Sequence, residues 1–253
     1  MDNLTLKTTN TWCPGCGNFF IFNALKKAIA KKKKENIVLV TGIGCHAKMA
    51  DYININSFYG LHGRAIPVAQ GIKAGNNNLS VICSSGDGDS FNEGISHLIH
   101  AAKRNNNITV IIHDNHNFAL TVKQFTSTSP KGFKGSSTPY GSIEDPINPI
   151  ELMIASGATF VARGYAPKVD HLADIIDKAI EHNGFSFVQV LQPCVAWFNT
   201  YQDYNKRVTE YYGPSNDKAK AIELAYEEKL PIGVFYKKNK PSFEDLLLDK
   251  NAK

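Results

Sequence analysis

No stretch of this sequence approaches the roughly 18 consecutive apolar residues that a membrane-spanning helix requires. The opening MDNLTLKTTN lacks the basic-then-apolar pattern of an export signal. These features predict a cytoplasmic protein that does not enter a membrane. Excess charge is also scarce. Twenty-eight Lys and Arg against 23 Asp and Glu leave a net +5, too little to indicate nucleic-acid binding. The clearest local cluster, Lys31 to Lys34, reads as a solvated helix end, the alternative being a docking patch for an acidic partner. Five cysteines are an odd number for a disulfide framework. In a reducing compartment, thiols serve instead as ligands, nucleophiles or core residues. No repeat or low-complexity tract is present, and 11 Pro and 19 Gly are dispersed along the chain, which excludes a fibrous or disordered protein. Neither a Ser-His-Asp ordering nor a His-Glu-x-x-His motif occurs, so a hydrolase has little support.

What is present is 253 residues, 43% of them apolar, enough to bury one sizeable core. Five β-rich apolar runs stand out: 37–41, 79–83, 108–112, 160–162 and 185–190. Between them, apolar residues recur at helical spacing, as in Phe91, Ile95, Leu98, Ile99 and Ala102, or Val169, Leu172, Ala173, Ile176 and Ile180. Phe22, Leu25 and Ile29 predict a further helix near the start. This alternation implies an α/β fold, a doubly wound and mostly parallel sheet. After Cys194 the pattern loosens, with a helical stretch at about 217–228. Residues 1–200 are therefore expected to form the main domain and residues 201–253 an appendage packed on it or on a partner.

In such sheets ligands bind beyond the carboxyl ends of the strands. The second run leads into Gly86-Asp87-Gly88-Asp89 and the third into Asp114-Asn115-His116-Asn117, with 26 residues between Gly88 and Asn115 for one helix and one strand. Asp87 and Asn115 thus fall at the ends of adjacent strands. A carboxylate, an amide and a backbone carbonyl suit a hard divalent cation that leaves positions open for a diphosphate. Glycines beside Asp87 admit close backbone approach to phosphate, aided by the following helix N-terminus. The pattern points to thiamine diphosphate with magnesium, a different nucleotide phosphate site being the alternative.

The thiols form a second constellation. Cys13-Pro14-Gly15-Cys16 puts two sulfurs on one tight turn, Cys45 follows the first strand, and Cys194 follows the last strong one. Four thiolates converging on one centre suit a structural zinc or a [4Fe-4S] cluster, and residue chemistry alone leaves both open. A thioredoxin-like pair is disfavoured because Cys13 and Cys16 precede the first strand. Cys83, inside an apolar run, is expected to be core. Gly42-Ile43-Gly44-Cys45-His46-Ala47 imitates a dinucleotide fingerprint, but about 20 residues on, where an acidic residue is required, stands Leu61-His62-Gly63-Arg64. Among the histidines, His46 and His62 occupy glycine-bounded loops at strand ends and are the catalytic candidates. His97 and His100 are expected on a helix surface.

Taken together, Trp12 to Gly17, Gly42 to Cys45, Leu61 to Arg64, Gly86 to Asp89, His97 to Asn105 and Gln192-Pro193-Cys194 resemble the β subunit of 2-oxoacid:ferredoxin oxidoreductases, over about residues 10–200. The resemblance implies a thiamine-diphosphate-binding fold and CoA-dependent oxidative decarboxylation of a 2-oxoacid, 2-oxoglutarate or pyruvate, with electrons passed to ferredoxin. It implies a [4Fe-4S] cluster on Cys13, Cys16, Cys45 and Cys194, and Mg²⁺ on Asp87, Asn115 and the Asn117 carbonyl. Ile43, Gly44, Cys45, His46, His62, Gly88, Asp89, Ala119 and Leu120 would contact thiamine diphosphate. An α subunit would supply the carboxylate on the aminopyrimidine, in a heterodimer or α2β2 assembly.

The chain departs from the family where members often read Tyr-Gly-Leu-Thr-Lys-Gly-Gln. Here Phe118 to Gln124 puts Val122 where that lysine stands and Lys123 where the glycine stands, which clouds the substrate-end contacts. Lys48 offers positive charge to a substrate carboxylate, its plain reading being a solvated helix lysine. The competing readings are a non-redox thiamine decarboxylase or synthase with a structural zinc held by the four cysteines, and a zinc-stabilised binding protein without chemistry.

Overall fold

The computed structural model describes residues 2–251. In chain order the elements are α1 (Gly17–Ile29), β1 (Ile37–Thr41), β2 (Asn56–Tyr59), α2 (Ala65–Gly75), β3 (Ser80–Gly86), α3 (Ile95–Arg104), β4 (Thr109–Asp114), α4 (Pro149–Ser156), β5 (Phe160–Tyr165), α5 (Val169–Glu181), β6 (Ser186–Leu191), α6 (Tyr201–Arg207), β7 (Val208–Glu210), α7 (Lys218–Ala225), β8 (Leu230–Lys237) and α8 (Phe243–Asn251). The strands form one eight-stranded sheet in the order β2-β1-β3-β4-β6-β5-β8-β7. All pairings from β2 to β5 are parallel, and β8 joins β5 antiparallel.

Alternating side chains feed two cores, as the period of a strand requires. Leu39, Ile82, Ile111 and Val188 pack under α1 and α5 on one face, while Val40, Cys83, Val110 and Phe187 pack under α2, α3, α4 and α7 on the other. Both faces are thereby covered, which is why the strands read as continuous apolar runs. Cys83 is a core residue, as expected. The helix over Asp217 to Glu228 is shorter than its pattern: Asp217 caps it by accepting from the Ala219 amide, and it ends at Ala225. Phe91 also falls outside its expected helix, in a wide turn of π-helical geometry, Gly88–Glu93, that precedes α3. Residues after 200 supply β7 and β8, so this segment extends the main sheet. Among the described residues no helix is long and apolar enough to cross a membrane.

The order reverses between β1 and β3, since the chain runs outward to β2 and then back past β1 to β3 and β4. Open α/β sheets bind ligands in the crevice at such a switch point. Register sets Thr41 beside Ser84, Gly86 beside His113, and Asp114 beside Leu191. The loops after β1, β3, β4 and β6 consequently emerge side by side, and these loops carry the motifs.

Candidate active site

At the switch point lies a cavity enclosing about 70 Å³, and its lining includes Ile43, Gly44, Cys45, His46 and His62. Asp87, Gly88, Asp89, Asn115, Asn117, Ala119 and Leu120 complete the residues read from sequence, and Phe118 and Thr121 join them. Asp87 is buried, and its Oδ2 accepts from the Thr126 hydroxyl at 2.7 Å. The Thr128 hydroxyl lies 2.8 Å from Asp87 and 2.9 Å from Asp114, with one proton for either. Burial, then the charge of Asp114, pushes the Asp87 carboxyl well above the ordinary carboxylate range, against the Thr126 hydroxyl. Two buried carboxylates sharing one hydroxyl make a place where a cation relieves repulsion. The Asn115 side-chain oxygen accepts from the Asn117 amide at 3.1 Å, while the Asn117 Oδ1 is buried without a partner.

Asp89 has equal burial and the opposite outcome. Burial works to raise its carboxyl, but His46, the Gly63 amide and the Ser85 hydroxyl outweigh it and hold the pKa below its ordinary value. The Gly63 amide and the Ser85 hydroxyl each donate at 2.7 Å. The His46 Nε2 stands 3.5 Å away and the His62 Nδ1 2.8 Å, the latter an ion-pair distance with poor hydrogen-bond alignment. Asp89 thus ties the loops after β1 and β2 to the end of β3. The close approach demands glycine, since a Cβ on Gly42 would fall 1.6 Å from Asp89 Oδ2. A Cβ on Gly88 would likewise meet the Phe118 ring at 2.3 Å, so glycine lets Phe118 fold over the turn. His46 is buried, its ring centre 5.6 Å from that of His113, whereas the His62 side chain remains 38% exposed at the cavity mouth.

A second cavity of about 150 Å³ is bordered by Cys13, Cys16, Cys45 and Cys194. It shares Cys45, Asn115, Ala119 and Leu120 with the first. Trp12 Nε1 donates to the Cys45 carbonyl at 2.7 Å and the Gly17 amide to the Pro193 carbonyl at 3.3 Å, so all three thiol segments are tied together. Cys16 caps α1; the Cys13–Cys16 turn therefore does open a helix, although no strand leads into it. Asn18 Nδ2 donates to Cys16 Sγ at 3.5 Å and Gln192 Nε2 at 3.9 Å. Burial, then the neighbouring Cys16, pushes the Cys45 thiol up to about 11 despite Lys48. Among the described residues no three His, Cys, Asp or Glu side chains converge closely enough to hold a single metal ion. The four thiols surround a volume instead of meeting at a point.

Lys48 also lines the thiol cavity, with its Nζ donating to the Thr11 hydroxyl at 3.0 Å. Lys123 is placed elsewhere, its Nζ 5.8 Å from the Phe133 ring centre. His97 is half-buried and His100 exposed, as expected for a helix surface. Within the lysine run, Lys32 is pinned to Asp177 at 2.9 Å and to Glu181, as a helix-end lysine would be. Sequence reasoning missed Thr126, Thr128, Asn18 and Trp12 as supports. Only Trp12, adjoining a cysteine turn, carried any signal.

Comparison with known proteins agrees with this geometry. Residues 42–190 match the family model described as thiamine pyrophosphate enzyme, C-terminal TPP binding domain. Residues 194–250 match the model for the C-terminal part of the pyruvate ferredoxin oxidoreductase beta chain. A 2-oxoacid:ferredoxin oxidoreductase subunit beta from Sulfolobus sp is 42% identical over 93% of this chain and 85% of its own length. The 2-oxoglutarate synthase subunit KorB of Methanothermobacter thermautotrophicus is 36% identical over 91% of this chain and 83% of its own. Among solved structures, the 2-oxoglutarate:ferredoxin oxidoreductase from Magnetococcus marinus, with 2-oxoglutarate, coenzyme A and succinyl-CoA bound, superposes with a TM-score of 0.96 at 33% identity, covering 99% of this chain and 89% of that one. The chain has the thiamine-diphosphate-binding fold and belongs to the β subunits of the 2-oxoacid:ferredoxin oxidoreductases.

Proposed function

We propose that this chain, joined to an α subunit in the cytoplasm, catalyses CoA-dependent oxidative decarboxylation of 2-oxoglutarate or pyruvate and passes the electrons to ferredoxin. One observation carries the reading: the loop bearing Cys45 borders both cavities. A non-redox thiamine enzyme has no use for four thiols beside its cofactor. Asp87, Asn115 and the Asn117 carbonyl would hold Mg²⁺, a hard-oxygen set that suits it. Ile43 to His46, His62, Gly88-Asp89 and Ala119-Leu120 would contact thiamine diphosphate. Cys13, Cys16, Cys45 and Cys194, which border one cavity, would ligate the [4Fe-4S] cluster. When bound, the thiamine cofactor supplies the nucleophilic carbon for decarboxylation and the cluster a one-electron acceptor.

The chain's own residues position and screen. Asp89 fixes His46 against the cavity that it lines, where it would act with His62 as a catalytic residue. His62, at the mouth, is placed to hold a proton near substrate. Side-chain amides of Asn18 and Gln192 donate to Cys16 Sγ, and the Asn18 bond works against the burial that raises this thiol. Lys48 offers charge to a substrate carboxylate. The roughly 70 Å³ enclosed here falls short of the several hundred that engulf a ligand of cofactor size. Exposed Phe58, Tyr59, Leu61, Leu120 and Val122 fit a surface buried against the α subunit. The test is anaerobic co-purification with the α partner, followed by metal and sulfide analysis and CoA-dependent CO₂ release from each 2-oxoacid. About four irons per chain and release that requires ferredoxin are expected. Stoichiometric zinc persisting after anaerobic iron reconstitution would overturn the redox reading.

A further inference from the structure

The loop after β4 serves two sides. Asn115 and Asn117 line the thiamine-side cavity, whereas Asp114 and His116 line a separate one of about 370 Å³ beyond β5 and β6. This division needs an uncommon backbone: His116 holds φ 59, left-handed for a residue with a side chain. Its ring bridges the Thr128 carbonyl, 2.7 Å from Nδ1, and the Tyr204 hydroxyl, 2.6 Å from Nε2. The Thr128 carbonyl requires a proton on Nδ1, and Nε2 is the atom that meets the Tyr204 hydroxyl.

Arg163, from β5, borders this cavity and is only 4% exposed. Its Nε donates to Gln189 Oε1 at 2.8 Å, and one face lies over the Phe235 ring at 5.2 Å. Its Nη1 is buried with no partner; the Thr200 hydroxyl, at the same cavity, lies beside the Tyr204 hydroxyl without a well-aligned hydrogen bond. Asp114 lends a nearby negative charge but makes no hydrogen bond to Arg163; its oxygens accept from Thr128 at 2.9 Å and from the Gln189 amide at 2.7 Å. Arg207, also in the lining, is held by Asp203 at 2.9 Å and by the Glu228 carbonyl. Burial lowers the Arg163 pKa to about 10, which leaves it a cation at neutral pH. A buried cation with an open donor is costly unless an acceptor completes it. Ile147, Leu191, Phe198 and Leu230 make much of the remaining lining apolar.

We propose that this cavity binds a small monocarboxylate with an apolar body, the carboxylate taken by Arg163 and Thr200 and the hydrocarbon by Ile147, Leu191, Phe198 and Leu230. Two guanidinium nitrogens, Nη1 and Nη2, make no hydrogen bond among the described residues and with the Thr200 hydroxyl match a planar two-oxygen anion.

The complex with the α subunit is titrated calorimetrically with acetate, butyrate and hexanoate, and with hexanamide as the uncharged control. Binding is expected to saturate and to tighten up to about fourfold per buried methylene. Hexanamide should bind at least tenfold more weakly than hexanoate. Arg163→Gln should weaken hexanoate at least tenfold and Thr200→Val several-fold, with 2-oxoacid turnover unchanged. Hexanoate binding should survive saturating 2-oxoglutarate. The proposal fails if hexanoate shows no saturable binding, if hexanamide binds equally well, or if 2-oxoglutarate displaces hexanoate, which would place it in the substrate site. Should Arg163→Gln not fold, the acid-against-amide comparison and Thr200→Val decide the question on an intact cavity.

Discussion

The two ends of the sheet bury polar groups in different ways. At the amino end, Asn105 Oδ1 accepts from the Thr159 hydroxyl at 2.6 Å and the Phe185 amide at 2.9 Å, and its Nδ2 donates to the Pro241 carbonyl at 3.0 Å. Glu244 on α8 accepts from Asn106 and from the Asn107 amide, both at 2.8 Å. At the carboxyl end the networks are left open. Among the described residues, the buried side-chain atoms without a partner belong, apart from those of Asn77 and His171, to Thr41, His46, His62, Asn117, Arg163, Gln192 and Thr200, which lie toward the carboxyl ends of the strands. One end satisfies itself and holds the fold together. The other withholds donors and acceptors, which is what a ligand site requires.

The sharpest way to break this contrast is to remove one group from each end. Asp87→Asn should weaken Mg²⁺-dependent thiamine diphosphate binding by more than the about 100-fold that loss of an outer-shell partner can produce, measured by cofactor titration. The metal-free chain should unfold no more easily, because a repelling buried carboxylate has gone. Asn105→Ala should do the reverse, lowering unfolding free energy by at least about 3 kcal/mol for two buried hydrogen bonds, one partly buried one and an alanine held at φ 56, with cofactor affinity unchanged. Equal loss of stability in the two variants would mean that the ends do not differ.

A pH titration sharpens the same comparison at the amino end. His182 is buried beside the Thr159 hydroxyl at 2.8 Å, and burial, then Lys237, lowers its pKa to about 4. An unfolded histidine titrates near about 6.5. Between those values the unfolded chain binds the additional proton, so this stability is intact above about 6.5 and is lost as pH falls toward about 4. His182→Gln should flatten that part of the stability curve measured by urea unfolding. An unchanged slope would show that folding does not lower the His182 pKa.

The contrast also explains what the sequence could reveal. The strand ends carrying Gly86-Asp87 and Asn115 were legible because buried parallel strands are apolar throughout. The cysteine segments were legible because each thiol closes a strand or a turn. β2 was not, since Asn56, Ser57, Phe58 and Tyr59 are all exposed and show no period. α2 contains Pro67 and Gly71, and Pro231 and Gly233 interrupt β8, so local propensity pointed away from the elements that tertiary packing imposes. Arg163 lay just past the apolar run 160–162, and only the folded sheet carries β5 through it and shows the cavity it borders. Asp114 and His116 were visible within their motif, but their turn toward the other side depends on one left-handed residue that no spacing reports.

Backbone strain gives the smallest test. At the amino end the left-handed position is Asn105, φ 56, a residue type that tolerates this geometry. At the carboxyl end Val122 and Lys123 hold φ 69 and 60, and a β-branched residue is the worst choice there. Val122→Gly should therefore raise unfolding free energy by about 1 kcal/mol, the relief of strain exceeding the added freedom of the unfolded chain. Lys123→Gly should change it less, because it also removes the cation over Phe133, a contact worth about 0.5 kcal/mol at an exposed site. Both effects are read from urea midpoints. A loss of stability in Val122→Gly would show that the valine side chain makes a contact outweighing the strain of its backbone.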